Sequence, residues 1–324
     1  MKEIVIPKTE LKVSALCLGG GPHGVDPEES EKVLDYYLAS GGNFIDTANI
    51  YGQWKPGGGV SVSERVLGKY IKSRKCRNRI VLDTKGAAPH FDTMHVPRVS
   101  RKDILHDIDD SLKNLQVDYV DLYWLHDEKI SVEEIIDTLV ALVREGKIRY
   151  FGCSNWNTAR IREALDYSRK KKIPEFVGNQ VMYNLAKYNQ ERLDQEIMFG
   201  MTSEMYALHK KEGLAVMCYS SQAQGYFSCA DKEDFMENPV YDNPREFYEN
   251  EISRLRLKKV KVLAKKYQCD PTQIALKYML CKDAFPTIPI IGSGRLSEVK
   301  LSIEAMGIPL TKEECEYLEN DAKE

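Results

Sequence analysis

The sequence predicts an α/β fold: a single (β/α)₈ TIM barrel over residues 1–324, with an N-terminal β-hairpin and an extra C-terminal helix. Three observations predict it. Short, nearly continuous apolar runs alternate with amphipathic helical patterns, the mark of a parallel sheet covered by helices. The alternation repeats eight times, which argues for a closed barrel over an open doubly wound sheet. No linker interrupts it, and one barrel spans about 200 to more than 400 residues.

The elements follow in order. Ile4–Val13 reads as a small hairpin turning at Lys8-Thr9-Glu10, and the apolar run Val13–Gly19 as the first barrel strand. Glu28–Ser40 has helical spacing at Val33, Leu34, Tyr37 and Leu38. Asn43–Asp46 is a strand, Ser63–Lys72 a helix, Ile80–Lys85 a strand and Arg101–Leu115 a helix. Tyr119–Leu125, Ile148–Ser154 and Phe176–Gln180 are strands, separated by helices at Val132–Glu145 and Thr158–Lys171. Met201–Lys211 is a helix and Leu214–Tyr219 a strand. Helical patterns at Glu251–Tyr267 and Pro271–Cys281 precede the last strand, Thr287–Ile291, and the helix Leu296–Ala305. Thr311–Asn320 is the terminal helix, opened by the capping box Thr311-x-x-Glu314. The longest irregular stretch, about Ser220–Asn250, follows a strand and so overhangs the barrel face where active sites sit.

Composition narrows the function. There are 46 basic and 49 acidic residues, a net charge of -3, so no overall basic field exists to hold a nucleic acid. Arg169-Lys170-Lys171-Lys172 closes a helix before Pro174, where cations suit the macrodipole. No stretch has the roughly 18 uninterrupted apolar residues of a membrane span. The first residues lack a signal-peptide core, and the eight cysteines form no Cys-x-x-Cys pair. Reduced thiols in a cytoplasmic protein are therefore expected. His90, Asp92 and His95 lack helical ligand spacing and an evident fourth ligand, so no metal is expected.

The predicted strand ends carry the chemistry. Asp46, Lys85, His126, Ser154-Asn155, Asn179-Gln180 and Tyr219-Ser220 all open onto one barrel mouth, with Tyr51 in the loop after Asp46. Such a set is unexpected for packing alone, because Asp and Lys are rarely buried unpaired. A lysine ammonium beside a tyrosine favours the phenolate and lowers its pKa, against the opposing effect of burial. Asp46 can hold Lys85 charged, and a histidine beside them can polarise a carbonyl oxygen. The set can deliver a proton to a developing oxyanion but supplies no hydride, so a redox reaction needs a cofactor.

These residues stand in motifs that resemble the aldo-keto reductases along essentially the whole chain. The motifs are Phe44-Ile45-Asp46-Thr47-Ala48-x-x-Tyr51-Gly52, Ser63-Glu64 with Leu67-Gly68, Thr84-Lys85-Gly86, Leu125-His126, Gly146-Lys147-Ile148-Arg149-Tyr150-x-Gly152-x-Ser154-Asn155 and Ile291-Gly292-Ser293. The resemblance implies NAD(P)H-dependent reduction of aldehydes or ketones, or oxidation of the matching alcohols. It makes Tyr51 the general acid/base, Lys85 its pKa modulator, Asp46 the partner of Lys85, and His126 the group that orients the carbonyl. It places Ser154, Asn155 and Gln180 on the nicotinamide amide, the Tyr219 ring on the nicotinamide, and Ser220, Gln222 and Gly225 at the pyrophosphate. Ile291, Gly292, Ser293, Gly294, Arg295 and Glu298, with Ser302, would surround the adenosine. Gly19-Gly20-Gly21 reads as a close backbone approach beneath the cofactor, not as a Rossmann loop.

The resemblance favours NADPH over NADH, with Arg295 the nearest cation for the 2′-phosphate. Many members place that cation one residue earlier, where this chain has Gly294, and Glu298 opposes a phosphate. Trp54, His90, Phe91, Trp156, Tyr226 and Phe227 are expected to line the substrate pocket, a mixture of rings and polar groups that suits a polar carbonyl compound such as a sugar derivative. Two other functions compete: a redox-sensing nicotinamide-binding subunit without turnover, and a cofactor-free lyase using Lys85 as a Schiff base. The intact Asp46, Tyr51, Lys85 and His126 set weighs against the sensing subunit. The partner is a small molecule, with neither nucleic acid nor membrane.

Overall fold

The computed structural model describes the chain except residues 22, 24, 25, 54–58, 90–92, 94, 95, 97, 99, 127–129, 194–197, 293 and 322–324, and the side chain of residue 126. A hairpin of β1 (Glu3–Val5) and β2 (Lys12–Ser14) pairs Ile4 with Val13. The barrel strands and the helices after them are β3 (Cys17–Gly19) and α1 (Pro27–Ala39), β4 (Phe44–Asp46) and α2 (Val62–Arg74), then β5 (Val81–Gly86) and α3 (Arg101–Leu115). Next come β6 (Val120–His126) and α4 (Val132–Arg144), β7 (Ile148–Ser154) and α5 (Thr158–Lys171), β8 (Gly178–Met182) and α6 (Ser203–Glu212). β9 (Ala215–Tyr219) is followed by α7 (Tyr226–Cys229), α8 (Asp242–Tyr248), α9 (Glu251–Tyr267) and α10 (Pro271–Leu280). β10 (Thr287–Ile291), α11 (Leu296–Glu304) and α12 (Lys312–Glu319) end the fold. The eight strands β3 to β10 are parallel neighbours in sequence order, and β10 returns to pair with β3, closing the barrel.

Local chemistry sets the boundaries. Asp26 caps α1 by accepting from the Glu29 amide, with Pro27 at the first helical position. Ser100 with Asp103 and Thr311 with Glu314 form complete capping boxes on α3 and α12. The apolar run Val13–Gly19 is not one strand. Ser14 donates its hydroxyl to the Leu16 carbonyl and meets the Tyr37 hydroxyl, so the chain turns between the hairpin and β3. The strand expected at Phe176–Gln180 lies two residues later, at Gly178–Met182, where it pairs along β9. Within the stretch Ser220–Asn250 two short helices form, α7 and α8, and Phe235 and Tyr248 are buried.

The interior of the barrel dictates where the polar groups emerge. Ile6, Leu11 and Val13 of the hairpin segment pack with Phe44, Val81, Leu122, Trp124, Ala215, Met217 and Ile288, filling one end of the barrel. Side chains alternate along a strand, so residues two positions on face the same way. Phe44 therefore leads to Asp46, Val81 to Asp83 and Lys85, and Met217 to Tyr219. The same inward rows are apolar at the strand starts and polar at the C-terminal ends.

Candidate active site

Lys85 and Asp46 are both almost fully buried, and the ammonium donates to Asp46 Oδ1 at 2.6 Å and to the Thr47 carbonyl at 2.8 Å. Gln180 Nε2 donates to the same Asp46 oxygen at 2.8 Å. The Lys85 Nζ lies 4.6 Å from the centre of the Tyr51 ring. Gly20 makes this arrangement possible: a Cβ there would sit 2.6 Å from the Asp46 carbonyl oxygen and 2.7 Å from Ser63 Oγ. The close approach expected of the Gly19–Gly21 run is thus to β4 itself.

The electrostatics differ in one respect from the residue-level expectation. Tyr51 keeps some exposure through the cavity, but its hydroxyl is enclosed, and burial pushes its pKa up to about 12 against the opposing charge of Lys85. Burial therefore outweighs the lysine in the protein without nucleotide. For Lys85 the balance is reversed: burial disfavours the ammonium, but the Asp46 carboxylate at 2.6 Å holds it charged.

Asp83 was not singled out by its motif. It is fully buried, pairs across the sheet with Asp46, and neither carboxyl oxygen has a hydrogen-bond partner among the described residues. Burial and the neighbouring Asp46 raise its pKa well above the usual carboxylate value, beneath the Lys85–Asp46 pair. Its signal was parity: Asp83 shares the inward row of Lys85.

Glu64 lies behind the barrel, accepting from Thr84 Oγ1 at 2.6 Å. Burial raises its pKa to about 7, opposed by hydrogen bonds from Thr84, Ser111 and Ser61. A raised folded pKa gives a contribution that is whole below the unfolded value and lost as pH rises through the folded one. Relative to Glu64→Gln, the parent is expected to lose up to about 3 kcal/mol between pH 4.5 and 8. Urea unfolding of both proteins at pH 5 and 8 checks this; a constant gap would contradict it.

A cavity of about 1010 Å³ starts at Asp46 and Tyr51 and is lined further by Tyr219, Ser220, Gln222, Gly225, Ile291, Gly292 and Glu298. Its volume is at the top of the roughly 300–1,000 Å³ usual for cofactor and ligand sites. Ser221, Gln224, Ser228, Asp270, Thr272, Gln273 and Leu301 also line it, and none was expected. Asp270 is the N-cap of α10 and accepts from Ser228 Oγ at 2.6 Å. Four helices follow β9, α7 to α10; the sequence placed Ser220–Asn250 over the active-site face but did not reach the start of α10 as lining. The backbone at the mouth is strained, with positive φ at Asn155 (59°), Ser220 (51°), Ala223 (48°) and Gln224 (52°).

Other expected residues fall in different places. Ser154, Asn155 and Gln180 adjoin through β7–β8 pairing, with Ser154 opposite Gln180. Asn155 Oδ1 accepts from the Tyr219 hydroxyl at 2.8 Å and from the Phe199 amide at 3.2 Å. Ser302 is buried against Gln222, whose Nε2 donates to its hydroxyl at 3.1 Å. Gly294 and Arg295 are exposed. His126 ends β6 opposite Ser154, and its side chain lies outside the described residues, as do Trp54, His90, Phe91 and Ser293. Among the described residues, no His, Cys, Asp or Glu cluster could hold a metal.

Three of the expected pocket residues are core residues instead. Trp156 is fully buried, with its ring 5.0 Å from Phe176 and the Arg160 guanidinium 5.1 Å above it. Tyr226 is fully buried among Phe227, Phe235 and Tyr248, and its hydroxyl donates to Glu249 at 3.1 Å. Phe227 is buried beside it. Apolar area removed from water at Tyr226 and Phe227 holds α7 down.

The residues present fit a nicotinamide dinucleotide. The cavity is long enough in residues to run from the mouth of β4 to the start of α10. It offers an aromatic ring at Tyr219 and hydroxyl and amide groups at Ser220, Ser221, Gln222 and Gln224.

Such a closed parallel barrel, with a buried Lys–Asp pair and a tyrosine at a large cavity, is the frame on which the comparisons with known proteins fall. The chain belongs to the aldo/keto reductase family, whose model matches residues 15–322. It is 29% identical over 332 residues to norsolorinic acid reductase B of Dothistroma septosporum, covering 97% of this chain and 79% of that protein. It is 30% identical to an uncharacterised oxidoreductase, YrpG, of Bacillus subtilis, covering 97% of this chain and 93% of that one. An aryl-alcohol dehydrogenase of Pestalotiopsis microspora is 28% identical, with 98% and 80% covered. Among solved structures, the thermostable aldo-keto reductase Tm1743, determined with the inhibitor epalrestat, superposes with a TM-score of 0.72 at 23% identity, over 99% of this chain and 100% of that one. The last likeness shows the fold. The chain is an NAD(P)H-dependent oxidoreductase of this family. Among the described residues, no helix is long and apolar enough to cross a membrane.

Proposed function

We propose that the protein reduces aldehydes or ketones, and oxidises the matching alcohols, with Tyr51 as the general acid/base. The observation that carries this reading is the position of Lys85: 2.6 Å from Asp46 and 4.6 Å from the Tyr51 ring, both of which line the cavity. Bound NAD(P)H supplies a hydride to the carbonyl carbon. The Tyr51 hydroxyl gives its proton to the carbonyl oxygen as charge develops there. Lys85 stabilises the resulting phenolate, and Asp46 keeps Lys85 charged and fixed. His126 is the residue that would orient the carbonyl. Tyr219 would lie against the nicotinamide ring, with Ser154, Asn155 and Gln180 at its amide.

One relative is named an aryl-alcohol dehydrogenase, which supports a carbonyl substrate of aryl character. The sugar-derivative expectation leaned on six residues, of which Trp156, Tyr226 and Phe227 are core. The experiment is a panel of aryl, aliphatic and sugar aldehydes and ketones, followed at the absorbance of the reduced nicotinamide. Turnover of at least one carbonyl is expected. Nucleotide binding without any turnover would favour the redox-sensing alternative.

A further inference from the structure

The two ends of the cavity carry different chemistry. Proton and hydride must reach the same carbonyl group, so the nicotinamide belongs at the Tyr51 end. The adenosine of an extended dinucleotide then falls at the opposite end, among Ser228, Asp270, Gln273, Glu298 and Leu301. Every charged side chain lining the cavity among the described residues is a carboxylate: Asp46, Asp270 and Glu298.

Those carboxylates are differently engaged. Asp46 is held by Lys85, and Asp270 is committed to the Thr272 amide and to Ser228. Glu298 stands in the first turn of α11, exposed, with no side-chain partner among the described residues. An ionised carboxylate only accepts hydrogen bonds, so it matches two ribose hydroxyls and repels a phosphate.

The helix start that could hold a phosphate is already filled. Glu29 reaches across from α1, and its Oε1 accepts from the Leu296 amide, the first of α11, at 2.7 Å. A carboxylate thus occupies the anion position of that helix. Its other oxygen lies 3.7 Å from Lys32, which offsets that cation. Arg295 sits at the N-cap with extended backbone (φ -144°), exposed and outside the cavity lining.

We infer that this end of the cavity selects NADH over NADPH, with Glu298 accepting from the adenosine ribose hydroxyls and Glu29 excluding the 2′-phosphate from α11. The inference reverses the preference that the resemblance alone implies, and it rests on Tyr51 marking the nicotinamide end.

Titration of the parent protein with NADH and with NADPH, followed by intrinsic fluorescence in the absence of substrate, tests it. NADH is expected to bind at least about tenfold more tightly, the size of one or two like-charge contacts at a half-exposed site. Glu298→Gln is expected to weaken NADH and strengthen NADPH, narrowing the gap. Arg295→Ala is expected to change both affinities by the same factor. NADPH binding as tightly as NADH, or a loss confined to NADPH in Arg295→Ala, would overturn the inference and leave the proposed reaction standing. Binding of neither nucleotide would overturn the proposed function, and the inference with it.

Discussion

Tyr51→Phe is expected to bind nicotinamide nucleotide as the parent does and to reduce carbonyls about 10²–10⁴-fold more slowly, since only the proton donor is removed. The ring stays in place beside Lys85, so the cavity keeps its shape. Single-turnover oxidation of the reduced nucleotide, with binding titrated separately, reads both halves of this result. A rate near the parent's, with chemistry limiting, would take the role away from Tyr51. The pH dependence follows from the same group. With a pKa raised to about 12, the hydroxyl is protonated throughout the neutral range. Reduction uses this acid form and is expected to be flat from pH 6 to 9. Alcohol oxidation uses the phenolate, whose fraction rises tenfold per pH unit below 12, so that direction is expected to climb across the same range.

Lys85→Met is expected to slow alcohol oxidation by about 10²–10³-fold. At 4.6 Å from the ring, a full charge at an effective dielectric near 20 contributes roughly 3–4 kcal/mol, or between two and three pK units, to the phenolate. The steep limb of the pH–rate profile is expected to move to higher pH, a change that a packing defect alone does not produce. The variant also leaves Asp46 buried without its cation, which costs about 3–5 kcal/mol of stability. The double variant Lys85→Met/Asp46→Asn is therefore expected to recover stability and not activity. Urea unfolding and the oxidation profile of both proteins distinguish the two effects. An unmoved profile in Lys85→Met would contradict the coupling between Lys85 and Tyr51.

What the sequence showed follows from what is periodic or local. Eight apolar runs and the helices between them were legible because burial imposes period two on strands and 3.6 on helices. Thr311 and Glu314 were legible because a capping box is a short, local motif. Asp46 and Lys85 stood out as charged residues at the ends of apolar strands. Asp83 did not, because an acid inside an apolar run carries no motif, and only the inward parity of Lys85 exposes it. The burial of Trp156, Tyr226 and Phe227 was not legible for the opposite reason. An aromatic ring after a strand looks the same whether it faces a ligand or anchors a following helix, and only the packing of α7 separates the two. The lining from Asp270 and Gln273 depends on where α10 begins in space, a property of the whole β9–β10 connection and of no single motif. Glu29 on the Leu296 amide joins residues 267 positions apart, which no local pattern could announce.

In the proposed reaction, hydride passes directly to a carbonyl carbon at the Tyr51 end of the cavity. The most direct measurement is a single turnover of nicotinamide nucleotide carrying two deuterium atoms at C4, with an aryl aldehyde or another carbonyl active in the panel, and mass analysis of the alcohol formed. One deuterium bonded to the carbinol carbon for each nicotinamide oxidised is the expected result. An alcohol without deuterium there, or product formed while the nicotinamide stays reduced, would contradict it.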